Sequence, residues 1–318
     1  MRAQALIAWL IGLAGLAALL ALNDGAAALR AGLALREWLA VVLAFHAVPL
    51  AIDVTAWRCL FVVRPGFGEL AAIRWIAESV NGLFPVPHLG ELLRVDMVRR
   101  LSPTGEAASS VVVDITLGLA TQILFTVVGL LIYARVPGAA ASVGALLLAL
   151  AVLVALGAGL YLAQRGGFSR VVAWLARLGP SLMRRVDLGA AHAVEARIAE
   201  TYRRRRTMAV ATAWRFAGWL AGAGEIWLIL HALGHPVSFG DAVMIESLSQ
   251  AARTVAFAIP GGLGMQDGAL VLLCGQLGIG AEGALALALV KRFREVAIGL
   301  PGLIAGSVIQ TRRWRRAA

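Results

Sequence analysis

Residues 78–100 read ESVNGLFPVPHLGELLRVDMVRR, a stretch too apolar for a loop and too polar and broken for one membrane span. Pro85 and Pro87 each lack a backbone donor and push the residue before them out of the helical region. Two short helices therefore meet at a break over residues 83–90, with Gly90 at its far edge. Glu78, Asn81, His88, Glu91 and Arg94 stand around the break in apolar surroundings. At membrane depth, backbone freed from helical hydrogen bonds is tolerated only where protein or a water-filled cavity covers it, so such a hairpin lines a site. Residues 241–279 repeat the pattern. A helix with Glu246, Gln250 and Arg253 runs into Pro260-Gly261-Gly262-Leu263-Gly264, and a second helix carrying Asp267 starts near Met265.

The chain has 318 residues, 60% of them hydrophobic, and a net charge of +11. With a mean hydropathy of +0.82, this is the composition of a polytopic membrane protein. Its arginines flank apolar runs, where the positive-inside rule and anionic lipid headgroups account for them, so no nucleic-acid partner is expected. Cys59 and Cys274 lie in apolar segments and imply neither a disulfide framework nor a metal site. His231 and His235 have helical spacing, but Gly234 and Pro236 end the helix there and no third ligand stands near. Gly261-Gly262-Leu263-Gly264 is not followed by the Lys-Ser/Thr of a phosphate loop, and no serine sits in a nucleophile elbow. No metal, no cofactor and no catalytic residue is expected.

Six spans are read at residues 5–22, 38–63, 111–133, 141–163, 209–233 and 284–310. The second contains Pro49 as a kink, with Asp53 and Arg58 inside it or near its end. The third carries Asp114 and Gln122, the fifth Arg215 and Glu225, and the last Lys291, Arg292, Arg294, Glu295 and Pro301. Residues 164–208 hold many arginines with Val171, Val172, Trp174, Leu175 and Leu178 at helical spacing, an amphipathic segment for a membrane surface. Placing it in the cytoplasm puts both termini inside and makes the two hairpins enter from opposite faces, as inverted repeats do. The expected fold is an all-α integral membrane protein of about six transmembrane helices and two oppositely oriented re-entrant hairpins. It forms one polytopic domain over residues 1–318, with hairpin regions at 67–108 and 241–280.

Charges inside a bilayer cost a few kcal/mol each, so they are paired or functional. Glu78, Asn81, His88, Glu91, Arg94, Asp114, Arg215, Glu225, Glu246, Arg253, Asp267, Arg292, Arg294 and Glu295 are the candidate substrate-binding residues, with Arg94 and Arg253 the preferred headgroup contacts. The helices beginning near Gly90 and Met265 can point backbone donors at an anionic headgroup. The competing reading is that the same charges only pair with each other. Glu295 lies three residues after Arg292, so an intrahelical pair is expected in any case.

At its two breaks the sequence resembles the transmembrane, flippase-like domain of the lysylphosphatidylglycerol synthase family. The matching residues are Asn81, Pro85 and Gly90-Glu91-Leu92-Leu93-Arg94, then Pro260 to Gly264 with Asp267-Gly268-Ala269-Leu270. The family more often has Arg-Glu where this chain has Gln266-Asp267, which keeps the carboxylate and loses the cation. Residues 109–114, 289–295 and 299–302 resemble the subgroup associated with hopanoid biosynthesis in bacteria. The resemblance implies movement of an amphipathic lipid, a hopanoid or a phospholipid, between leaflets of the bacterial inner membrane, with lipid-biosynthesis enzymes as partners. The soluble lipid-modifying domain of such proteins has no counterpart here, so no enzyme is expected. A membrane-embedded transferase using the same carboxylates and a non-transporting scaffold for lipid enzymes are the alternatives.

Overall fold

The computed structural model describes residues 2–84, 89–137, 140–164, 188–256 and 262–317, and every regular element among them is helical. The expected breaks at Pro85, Pro87, Pro260 and Gly261, His88 beside the first, and the apolar stripe from Val171 to Leu178 lie outside the described residues.

Helix α1 (Arg2–Leu22) does not stand alone as a first span. Its apolar part, Leu13–Leu22, meets α2 (Gly25–Ala34) at a bend of 97°. Asp24 makes the turn: its φ is 40°, and its side chain accepts from the Ala27 amide at 3.1 Å, capping α2. No element is expected from the sequence at α2, whose ten residues are too few for a span and are mostly alanine and glycine. The structure packs it along the last helix.

Helices α3 (Arg36–Phe45) and α4 (Ala47–Arg58) form one apolar run of 23 residues, Arg36–Arg58, with a hitch at His46. Pro49 has no N–H to offer the Phe45 carbonyl, which explains the hitch and matches the expected kink. Then α5 (Phe67–Leu83) and α6 (Leu89–Val98) fold against each other as the first hairpin, followed by the long α7 (Thr104–Tyr133). Helix α8 (Ala140–Gln164) exposes Leu148, Leu156 and Leu162. Helix α9 (Leu188–Arg203) packs on α7 and leads into α10 (Arg205–Ala232). The second hairpin is α11 (Phe239–Val255) with α12 (Met265–Gln276), and α13 (Ala281–Ala317) runs to the end with Pro301 inside it.

By length and composition, two runs among the described residues can cross a membrane, Arg36–Arg58 and Gly105–Tyr133, or three with the bent pair. Helices α10 and α13 are long enough, but the charged residues within them leave them less apolar than these runs. Helices α6, of 10 residues, and α12, of 12, are too short to cross.

Three antiparallel pairings build the body. Helices α3 and α4 run against α10: Arg204 donates to the Cys59 and Leu60 carbonyls at 3.3 and 3.1 Å, Arg215 meets Asp53 at 2.6 Å, and Gly224 lies on Phe45. Helix α5 runs against α13, where Ile76, Ser79 and Leu83 face Gly306, Gly302 and Gly299. The Trp75 indole donates to the Ile298 carbonyl at 3.0 Å, three residues before Pro301. Helix α11 runs against α7: Gln122 donates to Thr254 Oγ1 at 2.7 Å, and Ser247 lies on Gly129. Exchanging α3–α7 with α10–α13 maps the first pairing onto itself and the second onto the third.

Candidate functional site

The charged residues scattered through both halves converge into one network between the hairpins. In the first hairpin, Asn81 Oδ1 accepts the Gly90 amide at 2.8 Å, and its Nδ2 donates to Glu91 at 3.3 Å. The close approach requires glycine at 90, because a Cβ there would strike the Ala77 carbonyl. Arg94 reaches from α6 to Glu91 at 2.6 Å and to Asp114 on α7 at 2.7 Å, and its guanidinium lies over the Trp57 ring at 4.1 Å. Arg74 on α5 holds three carboxylates, Asp53 at 2.9 Å, Glu78 at 3.0 Å and Asp114 at 2.8 Å.

The second hairpin is tied in the same manner. Gly264, at φ 79°, donates its amide to Asp267 Oδ2 at 2.9 Å. Asp267 Oδ1 pairs with Arg292 on α13 at 3.0 Å. Glu295 takes Arg292 at 2.7 Å and Arg253 at 2.8 Å, so the expected intrahelical pair is present and shared. Gln266 Oε1 accepts from Arg292 at 3.1 Å and from Arg253 at 3.4 Å. A cation at 266, usual in the related motif, would face both guanidiniums. The amide oxygen suits this surrounding.

Between the hairpins, Lys291 meets Glu246 at 2.6 Å, and Gln250 donates to the same carboxylate at 2.8 Å. Arg294 lies 2.9 Å from Glu225 and donates to His46 Nδ1 at 2.6 Å. The network holds seven permanent cations, Arg74, Arg94, Arg215, Arg253, Lys291, Arg292 and Arg294, and eight carboxylates, Asp53, Glu78, Glu91, Asp114, Glu225, Glu246, Asp267 and Glu295.

Two polar cavities open in this network. The larger, about 300 Å³, is lined by Glu78, Ser79 and Asn81 of α5, Gln250 and Arg253 of α11, Arg294 and Glu295 of α13, and His46. The smaller, about 150 Å³, is lined by Asp53, Arg215, Glu225, Glu246 and Lys291 with His46, Gln250 and Arg294 again. His46, Gln250 and Arg294 thus form the partition between them. Beside each hairpin lies an apolar groove. One of about 380 Å³ is bounded by Ile76, Val80, Phe84 and Leu93 with Leu303 and Ile304. The other, about 540 Å³, is bounded by Leu148, Val152, Leu248, Ala252, Val255, Met265 and Leu272.

The sequence-derived candidates separate into two groups. Glu78, Asn81, Arg253, Arg294, Glu295, Arg215, Glu225 and Glu246 line the cavities. Glu91, Arg94, Asp114, Asp267 and Arg292 form the ion-pair frame behind them. Arg94 is 2% exposed, with its two terminal nitrogens paired to Glu91 and Asp114 over the Trp57 ring and only its buried Nε without a partner, so it braces the hairpin and lines neither cavity, contrary to the expectation of a headgroup contact. The donors at Gly90 and Gly264 are likewise taken by Asn81 and Asp267, leaving neither for an anionic ligand. Sequence reasoning left out His46, Asp53 and Arg74 as site residues. Arg74 stands four residues before Glu78 on an apolar helix, a spacing that marks it in retrospect. Among the described residues no cluster of metal-ligating side chains occurs.

No curated protein and no solved structure matches the chain. The profile of the lysylphosphatidylglycerol synthase TM region matches residues 5–302, both hairpins and the whole charged network included. The hairpin geometry and that match agree, and the chain belongs to the lysylphosphatidylglycerol synthase transmembrane-region family as a helical, multi-pass membrane protein.

Proposed function

We propose that this protein is a translocator that moves an amphipathic lipid between the leaflets of a bacterial inner membrane. One observation carries the reading: the first helix of each hairpin is polar on the cavity side and apolar on a groove side. On α5, Glu78 and Asn81 face the larger cavity while Ile76 and Val80 line a groove. On α11, Gln250 and Arg253 face the cavity while Leu248, Ala252 and Val255 line the other groove. A lipid straddling either helix keeps its headgroup among paired charges and its chains in apolar surroundings, which removes most of the cost of carrying a polar group across hydrocarbon.

In this reading α5–α6 and α11–α12 are re-entrant hairpins from opposite faces, and the two exchanged halves are inverted repeats. The antiparallel run of α3–α4 against α10 supports that arrangement, because repeats related by a two-fold axis in the membrane plane bring their equivalent helices together head to tail. Six spans and cytoplasmic termini complete the topology. Arg294, Glu295 and Gly299, from the subgroup-like stretches 289–295 and 299–302, line the larger cavity, and the proposed cargo is a lipid of the phospholipid or hopanoid class.

The test is transbilayer movement of labelled phosphatidylglycerol and phosphatidylethanolamine in vesicles containing the purified protein, with lipid mass followed in parallel. Arg253→Ala removes the most accessible cavity cation and is expected to slow movement at least about tenfold, the effect of losing a charge-assisted contact of about 1.5–3 kcal/mol. Equal rates with and without protein would sink the reading, and a changed lipid mass would make the site a transferase.

A further inference from the structure

We propose that His46 is the proton-binding site through which proton movement drives lipid movement; the proposal rests on the translocator reading. His46 lies at the hitch between α3 and α4, ten residues into a run of 23, which places it about 15 Å from one end and near mid-depth. It belongs to the partition shared by the two polar cavities. A proton arriving through one cavity and leaving through the other meets this ring.

The groups around the ring define two arrangements. Arg294 of α13 donates to Nδ1 at 2.6 Å, which fixes the neutral tautomer with its hydrogen on Nε2, and Glu78 Oε2 of α5 lies 4.0 Å from that nitrogen. Glu225 Oε2 of α10 stands 3.6 Å from Nδ1. A proton on Nδ1 cannot share that nitrogen with a guanidinium donor. Binding it must displace Arg294 and turn the new N–H toward Glu225. Glu225 is prepared for it: its Oε1 and the Nε of Arg294 are 2.9 Å apart yet neither makes a hydrogen bond, so Arg294 holds this oxygen by charge, while Oε2 is the oxygen that faces the ring. The remaining charges lining the two cavities, Asp53, Arg215, Glu246, Lys291, Arg253 and Glu295, all have partners of opposite sign.

The charge balance points the same way. Seven cations face eight carboxylates among the described residues, and one proton on His46 makes the network neutral. Uptake of that proton moves Arg294, which lines both cavities, and so changes the partition between them. This links the protonation state to which cavity a headgroup can occupy.

The experiment uses the full chain in vesicles of phosphatidylethanolamine and phosphatidylglycerol carrying a trace of fluorescent phosphatidylglycerol and a lumenal pH dye. With one proton moved per lipid, a gradient of about one pH unit shifts the leaflet ratio of the label about tenfold, since each decade of proton activity is a decade in the coupled equilibrium. Wild type is expected to show that shift together with proton flux. His46→Gln is expected to bring the label to the same ratio with and without the gradient, whatever its rate. Movement by wild type that ignores the gradient overturns the coupling and leaves the translocator reading intact. A tenfold shift retained by folded His46→Gln also overturns it. No movement in any sample overturns both. The wild-type measurement alone can refute the proposal, so a poorly folding variant does not shield it.

Discussion

The pair Lys291–Glu246 offers a direct measure of what the buried network contributes. Both side chains are 5% exposed, their charged atoms are 2.6 Å apart, and they join the second hairpin to the last helix. Lys291→Met keeps the length of the side chain but leaves the Glu246 carboxylate with one neutral donor, Gln250. Glu246→Gln leaves an ammonium facing an amide. Each single change is expected to destabilise by about 3 kcal/mol, because the surviving charge stays buried without its counter-ion. At about 2–4 °C per kcal/mol, that is a fall of about 6–12 °C in the unfolding midpoint in detergent. In the double variant, the amide introduced at position 246 still accepts from Gln250, and the thioether chain introduced at position 291 fills the space of the lysine stem. The double variant is expected to lose about 3–4 kcal/mol in all, hardly more than either single change, which is a coupling of about 2–3 kcal/mol. The assay is thermal unfolding of purified protein, followed by the loss of the monodisperse peak. Losses that simply add, to within about 0.5 kcal/mol, would show that the two residues do not form a pair, and the network as described would be wrong.

Two further outcomes follow from the first hairpin. Arg94→Ala is expected to cost about 3–5 kcal/mol, read in the same unfolding assay, since it strips two carboxylates of their shared partner and removes the cation from Trp57; a loss under about 1 kcal/mol would return Arg94 to the cavity. Gly90→Ala is expected to cost about 1–3 kcal/mol, more than Gly302→Ala, because the new methyl meets the backbone carbonyl of Ala77 in one case and only side-chain atoms, those of Ser79 and Trp75, in the other. Equal unfolding midpoints for the two alanine variants would contradict that geometry.

The two packed helix pairs were legible because a proline- or glycine-rich stretch that one helix cannot cross separates two charge-bearing apolar segments in each half. The kink at Pro49 and the pair Arg292–Glu295 were legible for the same kind of local reason, a missing donor and a helical spacing. Three things were not. Helix α2 is ten residues, mostly alanine and glycine, too short to be read as a span, and its packing along α13 is a tertiary contact that its own sequence does not announce. His46 sits in an apolar run where sequence gives it no partner, and its neighbours Glu78, Glu225 and Arg294 come from three other helices. The separation of Arg94 from Arg253, one buried in the frame and one on the cavity wall, depends on side-chain placement across helices that spacing along one helix does not encode.

The two halves share their packing and differ in the signs of their charges. In the first hairpin the returning helix supplies a cation, Arg94, to an acid on the next long helix, Asp114. In the second the returning helix supplies an acid, Asp267, to a cation on the next long helix, Arg292. Both hairpins are thus tied to the next long helix by an ion pair, made from the sixth residue of α6 in one and the third of α12 in the other, with the polarity reversed. The proposed translocator would need two arrangements of nearly equal energy for alternating exposure, and halves that pack in exchangeable ways are suited to supply them. Pairs of opposite polarity make the two arrangements electrostatically distinct, however, so a single added charge at their junction favours one over the other. The residue at that junction is His46, between Glu78 of one half and Glu225 and Arg294 of the other.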